Sequence, residues 1–303
     1  LDVFYVNFMS AQTTTPTSSS TFALAALFIG AAAIGLAPIF VRLAEIGPTA
    51  TAFWRPVLAL PILWLWMSLD KHSADKPQSA ADIRSLLLAG FFFAGDLAFW
   101  HTSIKFTSVA NATLLANFAP IFVTLAAWIL YKQKVTRLFL FALAIALAGA
   151  IAVIGSSFSI DEQHIKGDAL GVITALFYTG YILSIKKLRE RFAVSSIMFW
   201  STLATAAILL PVALISGDVF WPQTLYGWMI LAGLGWISHA GGQSLIAYAL
   251  AHLPAQFSSV GLLLQPVLAT LIAWRLFGEN VSALQFFGAA LVLAGIIVAR
   301  KGS

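Results

Sequence analysis

The sequence predicts an all-α polytopic membrane protein of ten transmembrane helices, arranged as two inverted five-helix repeats. Three observations carry that prediction. The 303 residues are 60% hydrophobic and 10% charged, with mean hydropathy +0.91, whereas a soluble domain is about a quarter charged. Apolar runs of ~20 residues recur along the chain, the length that crosses ~30 Å of hydrocarbon. The chain also repeats itself: Pro120, Thr124 and Trp128 return as Pro266, Thr270 and Trp274, each 146 positions on. The same offset carries Val135 to Val281, Leu147 to Leu293 and Gly149 to Gly295. Hydrophobic residues coincide cheaply, but Pro, Thr, Trp and Gly in one register mark an internal duplication.

Taken in order, residues 1–21 hold no Lys or Arg and carry the Thr13–Thr21 Ser/Thr/Pro run, which predicts a disordered tail without a cleaved signal. Met9 is the first methionine, and Leu1–Phe8 stand outside the fold reasoning. The first repeat is expected over 22–155, with spans at 22–43, 48–69, 83–104, 108–131 and 135–155. Gly47-Pro48 and the polar Asp70–Asp82 stretch break the early spans. A linker at 156–166, rich in Ser, Asp, Glu, His and Lys, separates the halves. The second repeat is expected over 167–300, with spans at 167–188, 194–216, 225–250, 254–276 and 281–300. The 254–276 helix opens on a proline, which a first turn tolerates.

Basic loops set the orientation. Lys71, Lys76, Arg84, Lys132, Lys134, Arg137, Lys186, Lys187, Arg189, Arg191, Arg300 and Lys301 fall on one side, against Arg42, Arg55, Lys105, Lys166 and Arg275 on the other. That bias predicts cytoplasmic termini. It also accounts for the net charge of +5 without nucleic acid as a partner. Five helices per repeat is an odd number, so the second repeat enters the membrane inverted. Inverted repeats place a substrate site near the midplane and open it alternately to each side. The expected partners are therefore a small-molecule substrate and membrane lipid.

Polar groups inside hydrocarbon are costly and mark candidate sites. Asp96 lies twelve residues beyond Arg84, about 18 Å along a helix and close to the midplane. It shares a face with Trp100, while His101 turns to a neighbouring one. Such an aspartate serves as a proton relay, as the counter-ion of an ammonium group, or is simply satisfied by adjacent helices. In the eighth helix His239 pairs with Gln243, and Ser244 with Tyr248, at i, i+4 spacing. Asn117 and Gln265 flank Pro120 and Pro266, either lining the site or patching the helix breaks that proline causes. Tyr178 and Tyr181 place phenols midway along the sixth helix. The expected substrate-binding set is thus Asp96, Trp100, His101, Asn117, Tyr178, His239, Gln243, Ser244, Tyr248 and Gln265. Arg42 and Arg55, bracketing the first outer turn, are expected to snorkel to headgroups. Trp64, Trp66, Trp221 and Trp228 read as interfacial belts. Ala144/Ala148 and Ala290/Ala294 read as small-residue packing seams.

The ten-helix pattern resembles the drug/metabolite transporter superfamily, in its EamA-domain branch, over residues 22–300. Its markers are Ala249-Leu250 (Ser103-Ile104 in the first repeat), the helices with Pro120 and Pro266, Gly278-Glu279, and Gly288 and Gly295 in the last helix. The first repeat departs from the pattern with Lys132-Gln133 in place of Gly278-Glu279, so Glu279 is expected to be structural. Its aromatic richness is most similar to the bacterial aromatic amino-acid exporters. The resemblance implies a secondary exporter of aromatic or neutral amino acids, extending to flat aromatic compounds, working by alternating access. An exchanger of sugar phosphates or nucleotide sugars would need basic residues deep in the cavity, whereas every Lys and Arg here reads as near a span end. An intramembrane enzyme using Ser244 or His239 is a remoter alternative.

Other chemistries lack their residues. There is no P-loop, no His-Glu-x-x-His and no Cys. No cofactor or metal is expected, and the chain is not expected to be an enzyme. Between Phe22 and Leu43 there is no acidic residue, unlike the first helix of small multidrug pumps.

Overall fold

The computed structural model describes residues 18–70, 77–154, 164–278 and 281–303. The predicted linker and Glu279 therefore fall wholly or mostly outside the described residues, as does the tail up to residue 17. The first helix begins at Ser18, earlier than the sequence suggested.

Ten membrane-length rods run through the described residues, numbered here α1 to α10. α1 is two segments, Ser18–Gly35 and Ala37–Leu43, divided at Leu36 just before Pro38. α2 is Pro48–Leu69 and α3 is Ala80–Ser103, the latter started by a Ser79/Asp82 capping box. α4 is Val109–Ala116 followed by Ala119–Tyr131, and α5 is Arg137–Ile154. α6 is Ile165–Leu188 and α7 is Val194–Ile215. α8 joins Leu225–Gly233, a π-helical stretch Leu234–Gln243, and Ser244–His252. α9 is Ala255–Gly261 and Leu264–Phe277, and α10 is Ala283–Gly302. Nine of these rods are long and apolar enough to cross a membrane by length and composition; α8, with its π segment, is the tenth.

The packing is closed under exchange of the halves. α3 packs on α6 as α8 packs on α1, and α3 on α7 as α8 on α2. α4 lies on α6 as α9 lies on α1, while α5 with α10 and α2 with α7 pair across the exchange. The α5–α10 seam shows the symmetry at atomic scale. A Cβ on Gly149 would come within 2.6 Å of the Gly288 carbonyl and Val292 nitrogen. A Cβ on Gly295 would meet Ala142 and Ala146, the residues 146 positions before Gly288 and Val292. Backbones approach this closely only where the side chain is small. This corrects the predicted seam: Ala144, Ala148, Ala290 and Ala294 are exposed on the opposite face. Small residues fill several faces of both helices, so spacing alone did not choose among them.

Prolines explain two of the breaks. Pro120 and Pro266 start the second segments of α4 and α9, after short turns at Asn117-Phe118 and Leu262-Leu263. Without an N–H, proline cannot continue the preceding ladder. Neighbouring side chains then meet exposed carbonyls. Asn117 Nδ2 donates to Thr113 O at 2.7 Å, Thr124 Oγ1 to Pro120 O at 2.7 Å, and Thr179 Oγ1 reaches Ala119 O at 3.3 Å. The ends of these rods match as well. Lys132 and Gly278, again 146 apart, both cap their helices in the left-handed conformation, at φ 52° and 67°. Lys132 is the one positive-φ residue other than glycine among the described residues.

Candidate functional site

The breaks in α1, α4 and α9 surround one cavity of ≈ 710 Å³ empty space, its mouth included. α1 supplies Ile34 and Pro38, α2 Arg55, α3 Asp96 and Trp100, α4 Asn117 and Pro120, α6 Tyr178, α8 Gln243, and α9 Gln265. Six of the ten expected residues therefore meet here: Asp96, Trp100, Asn117, Tyr178, Gln243 and Gln265. Trp100, 8% exposed, forms an apolar wall one turn beyond Asp96. Asn117 divides its amide between the α4 break and the cavity.

The remaining four lie elsewhere. His101 is fully buried behind Trp100, its ring edge-on to the indole at 4.8 Å, and does not line the cavity. His239 faces α7, where its Nε2 sits 2.9 Å from Thr202 Oγ1. Both residues lie in the π stretch, yet only Gln243 lines the cavity, because the His239 ring is taken up by the Thr202 hydroxyl on α7. Ser244 has a buried hydroxyl without a partner, outside the cavity lining. Tyr248 packs edge-on to Phe22 at 5.2 Å, and its carbonyl is 3.0 Å from His252 Nδ1, close to the end of α8.

Arg55 is the residue that the sequence reading misplaced. Rather than snorkelling, it is 3% exposed and lines the cavity, seven residues into α2. Its guanidinium lies 5.7 Å from the Phe93 ring centroid. Phe93 in turn stacks on Tyr181 at 4.5 Å, and Tyr181 faces Tyr178 at 6.1 Å. This aromatic shelf fixes the cation in place. Arg42 is held at a helix end, over the Phe277 ring at 4.3 Å.

Arg55 and Asp96 interact electrostatically, yet no ion pair within 4.0 Å closes between them. Four polar atoms of the lining residues are buried without a hydrogen-bond partner: Arg55 Nε, Thr113 Oγ1, Tyr178 Oη and Gln243 Oε1. The Tyr178 hydroxyl lies beside Gln243 and Gln265 without reaching hydrogen-bond geometry to either. Buried polar groups are normally satisfied, and a group left open beside a cavity is poised to meet a ligand or water there. The arrangement thus offers one cation, one anion, amide and phenol groups, and an indole wall.

Comparison with known proteins agrees with this architecture. The EamA-like transporter family matches twice, over residues 21–155 and 165–300. A transporter of Archaeoglobus fulgidus, named as uncharacterized, is 26% identical over 277 residues, covering 91% of this chain and 96% of its own. The pseudopaline exporter CntI of Pseudomonas aeruginosa is 24% identical over 249 residues, covering 82% and 84%. A solved crystal structure superposes with a TM-score of 0.79 at 16% identity, over 94% of this chain and 99% of that one, which speaks to the fold. With both halves matched and the two-repeat fold in place, the chain belongs to the EamA-like transporter family.

Proposed function

We propose that this chain is a secondary exporter of amino acids, aromatic or neutral, with both ends in the cytoplasm of a bacterial inner membrane. The observation that carries the reading is the opposition of Arg55 and Asp96 in one cavity without a closed ion pair. A zwitterion matches it: the carboxylate meets Arg55, the ammonium meets Asp96, and the side chain lies against Trp100. Gln243, Gln265 and Tyr178 complete the hydrogen bonding, so the substrate satisfies the partnerless atoms as it binds. A planar guanidinium suits a carboxylate by presenting two parallel donors. Orientation rests on the basic residues at the face where the chain leaves at Ser303.

Arg55 also removes the objection to anionic substrates such as sugar phosphates, because one cation does stand deep in the cavity. Asp96 beside it favours the zwitterion over a dianion.

Counterflow in proteoliposomes distinguishes the two. Vesicles loaded with unlabelled alanine or tryptophan should accumulate the labelled amino acid, and a sugar phosphate should not drive exchange. In Trp100→Ala, tryptophan counterflow should weaken about fivefold relative to alanine, matching ~1 kcal/mol for an aromatic pair. Equal losses for both substrates would make Trp100 a packing residue, and exchange of sugar phosphate alone would overturn the amino-acid reading.

A further inference from the structure

A second, larger crevice of ≈ 1630 Å³, mouth included, lies on the face of the chain's C-terminal end. It shares α4, α6, α8 and α9 with the central cavity, while α5 and α10 add Phe139 and Gly302. Ala127 of α4, Leu183 and Lys186 of α6, His252 of α8, and Ala255 and Gln256 of α9 line it. Each stands farther along its rod toward that face than the cavity residues Pro120, Tyr178, Gln243 and Ser259. Buried Val123 and Phe257 stand between the two sets along α4 and α9. Three lysines, Lys134, Lys186 and Lys187, line the crevice against one glutamate, Glu190. Lys186 is half-buried, and its Nζ donates to Leu253 O at 3.1 Å, tying α6 to the turn between α8 and α9.

The duplication shows that the fold does not require these charges. The positions 146 residues before Lys186 and Lys187 are Phe40 and Val41. Topology needs basic residues somewhere on the cytoplasmic side, but exposed loops satisfy that need without gathering three of them around one crevice.

We propose that this crevice is the cytoplasmic loading mouth of the transport path, and that its lysines select for substrates bearing a free carboxylate before they reach Arg55. A mouth lined by one sign of charge with low-dielectric walls raises the local concentration of the opposite ion. The carboxylate first meets Lys134 and Lys187 at the rim. It then competes with the Leu253 carbonyl for Lys186, loosening the α8–α9 turn, and passes on to Arg55 as Val123 and Phe257 part. The proposal rests on the transport reading above and on its orientation, but its test needs no transported substrate.

The chain has no cysteine, so a single one can be placed in the central cavity by Ala116→Cys. The full-length protein is reconstituted with its cytoplasmic face outward and treated with either of two membrane-impermeant thiol reagents, one carrying a sulfonate and the other a trimethylammonium group. The sulfonate reagent should label the faster. With Lys134→Gln, Lys186→Gln and Lys187→Gln added, the sulfonate-to-ammonium rate ratio should fall about tenfold, within the range of electrostatic steering. Added salt should shrink the same ratio in the parent. A second variant, Lys187→Trp, narrows the mouth at an exposed position and should slow both reagents from this face without slowing them from the other. A charge ratio indifferent to the three lysines, or an absence of labelling from the cytoplasmic face, would overturn the proposal. Failure of amino-acid counterflow would instead strike only at the substrate reading.

Discussion

α3 and α8 occupy equivalent places in the two repeats, yet α3 is one unbroken α-helix while α8 carries a ten-residue π stretch. Where α3 has Asp96 and Trp100, the 146-residue offset places Gly242 and Ile246. Gly242 is there for close approach: a Cβ on it would come within 2.8 Å of Ile34 on α1. α2 and α7 differ in the same sense. Arg55 corresponds to Ser201, a buried serine whose hydroxyl returns to its own helix at Ile197 O, 2.6 Å away. Duplication kept the packing on both sides of the exchange and put both charges of the cavity in the first half. The second half supplies neutral groups, Tyr178, Gln243 and Gln265.

The sharpest way to break that comparison is to remove the charges. Arg55→Gln and Asp96→Asn should each lower alanine counterflow about 10- to 100-fold, since a hydrogen bond to a charged group contributes ~1.5–3 kcal/mol. In the second repeat, Ser201→Ala at the counterpart of Arg55 and Ile246→Leu at the counterpart of Trp100 should leave flux within about twofold while the fold is kept, because no buried charge is lost. Comparable losses from both halves would mean that the chemistry is shared after all.

A smaller effect is expected at the paired helix ends. Lys132 and Gly278 cap α4 and α9 in the same left-handed conformation. A side chain in that region costs ~1–2 kcal/mol relative to right-handed backbone, and glycine largely escapes the cost. Lys132→Gly should therefore raise stability by about 1 kcal/mol, and Gly278→Lys should lower it by a similar amount, measured by unfolding in detergent. If the two substitutions move stability in the same direction, the ends are not equivalent.

Much of this was legible in the sequence because hydrophobic length and repeated prolines are one-dimensional signals. The 146-residue register located the helix breaks at Pro120 and Pro266, and a midplane depth pointed to Asp96 and Trp100, both of which line the cavity. Arg55 was missed because distance from a span end measures depth in lipid and is blind to a cavity on the inner side of the helix. His239 lies outside the cavity lining because spacing along one helix does not say which neighbouring rod a side chain meets, and this ring meets Thr202 on α7. The α5–α10 seam was misread for a different reason. When Ala and Gly occupy most positions of two helices, their faces differ in contact but hardly in composition.

The smallest expected effect concerns two contacts that mirror each other at opposite faces. At one, Thr49 N donates to Asp218 Oδ2 at 2.8 Å; at the other, Ser195 Oγ donates to Asp70 Oδ2 at 2.6 Å, and Ser195 is Thr49 shifted by 146. At the Asp218 contact Lys105 joins in, its Nζ 2.7 Å from Asp218 Oδ1. Partial burial works to raise the Asp218 carboxyl, but the bonds from Lys105 and Thr49 outweigh it and hold the group below its ordinary value of 3.8. A carboxyl lowered by folding adds stability that is present above its unfolded value and is lost as pH falls through the lowered one. Since the pair is partly exposed, its worth should be about 0.5–1 kcal/mol. Asp218→Asn should accordingly lower the unfolding temperature slightly at pH 7, and that deficit should shrink in acid as pH falls below the ordinary carboxyl value and folded Asp218 takes up its proton. A deficit that persists undiminished in acid would show that Asp218 acts by shape, through its fit against Gly47, and that the two faces are latched alike.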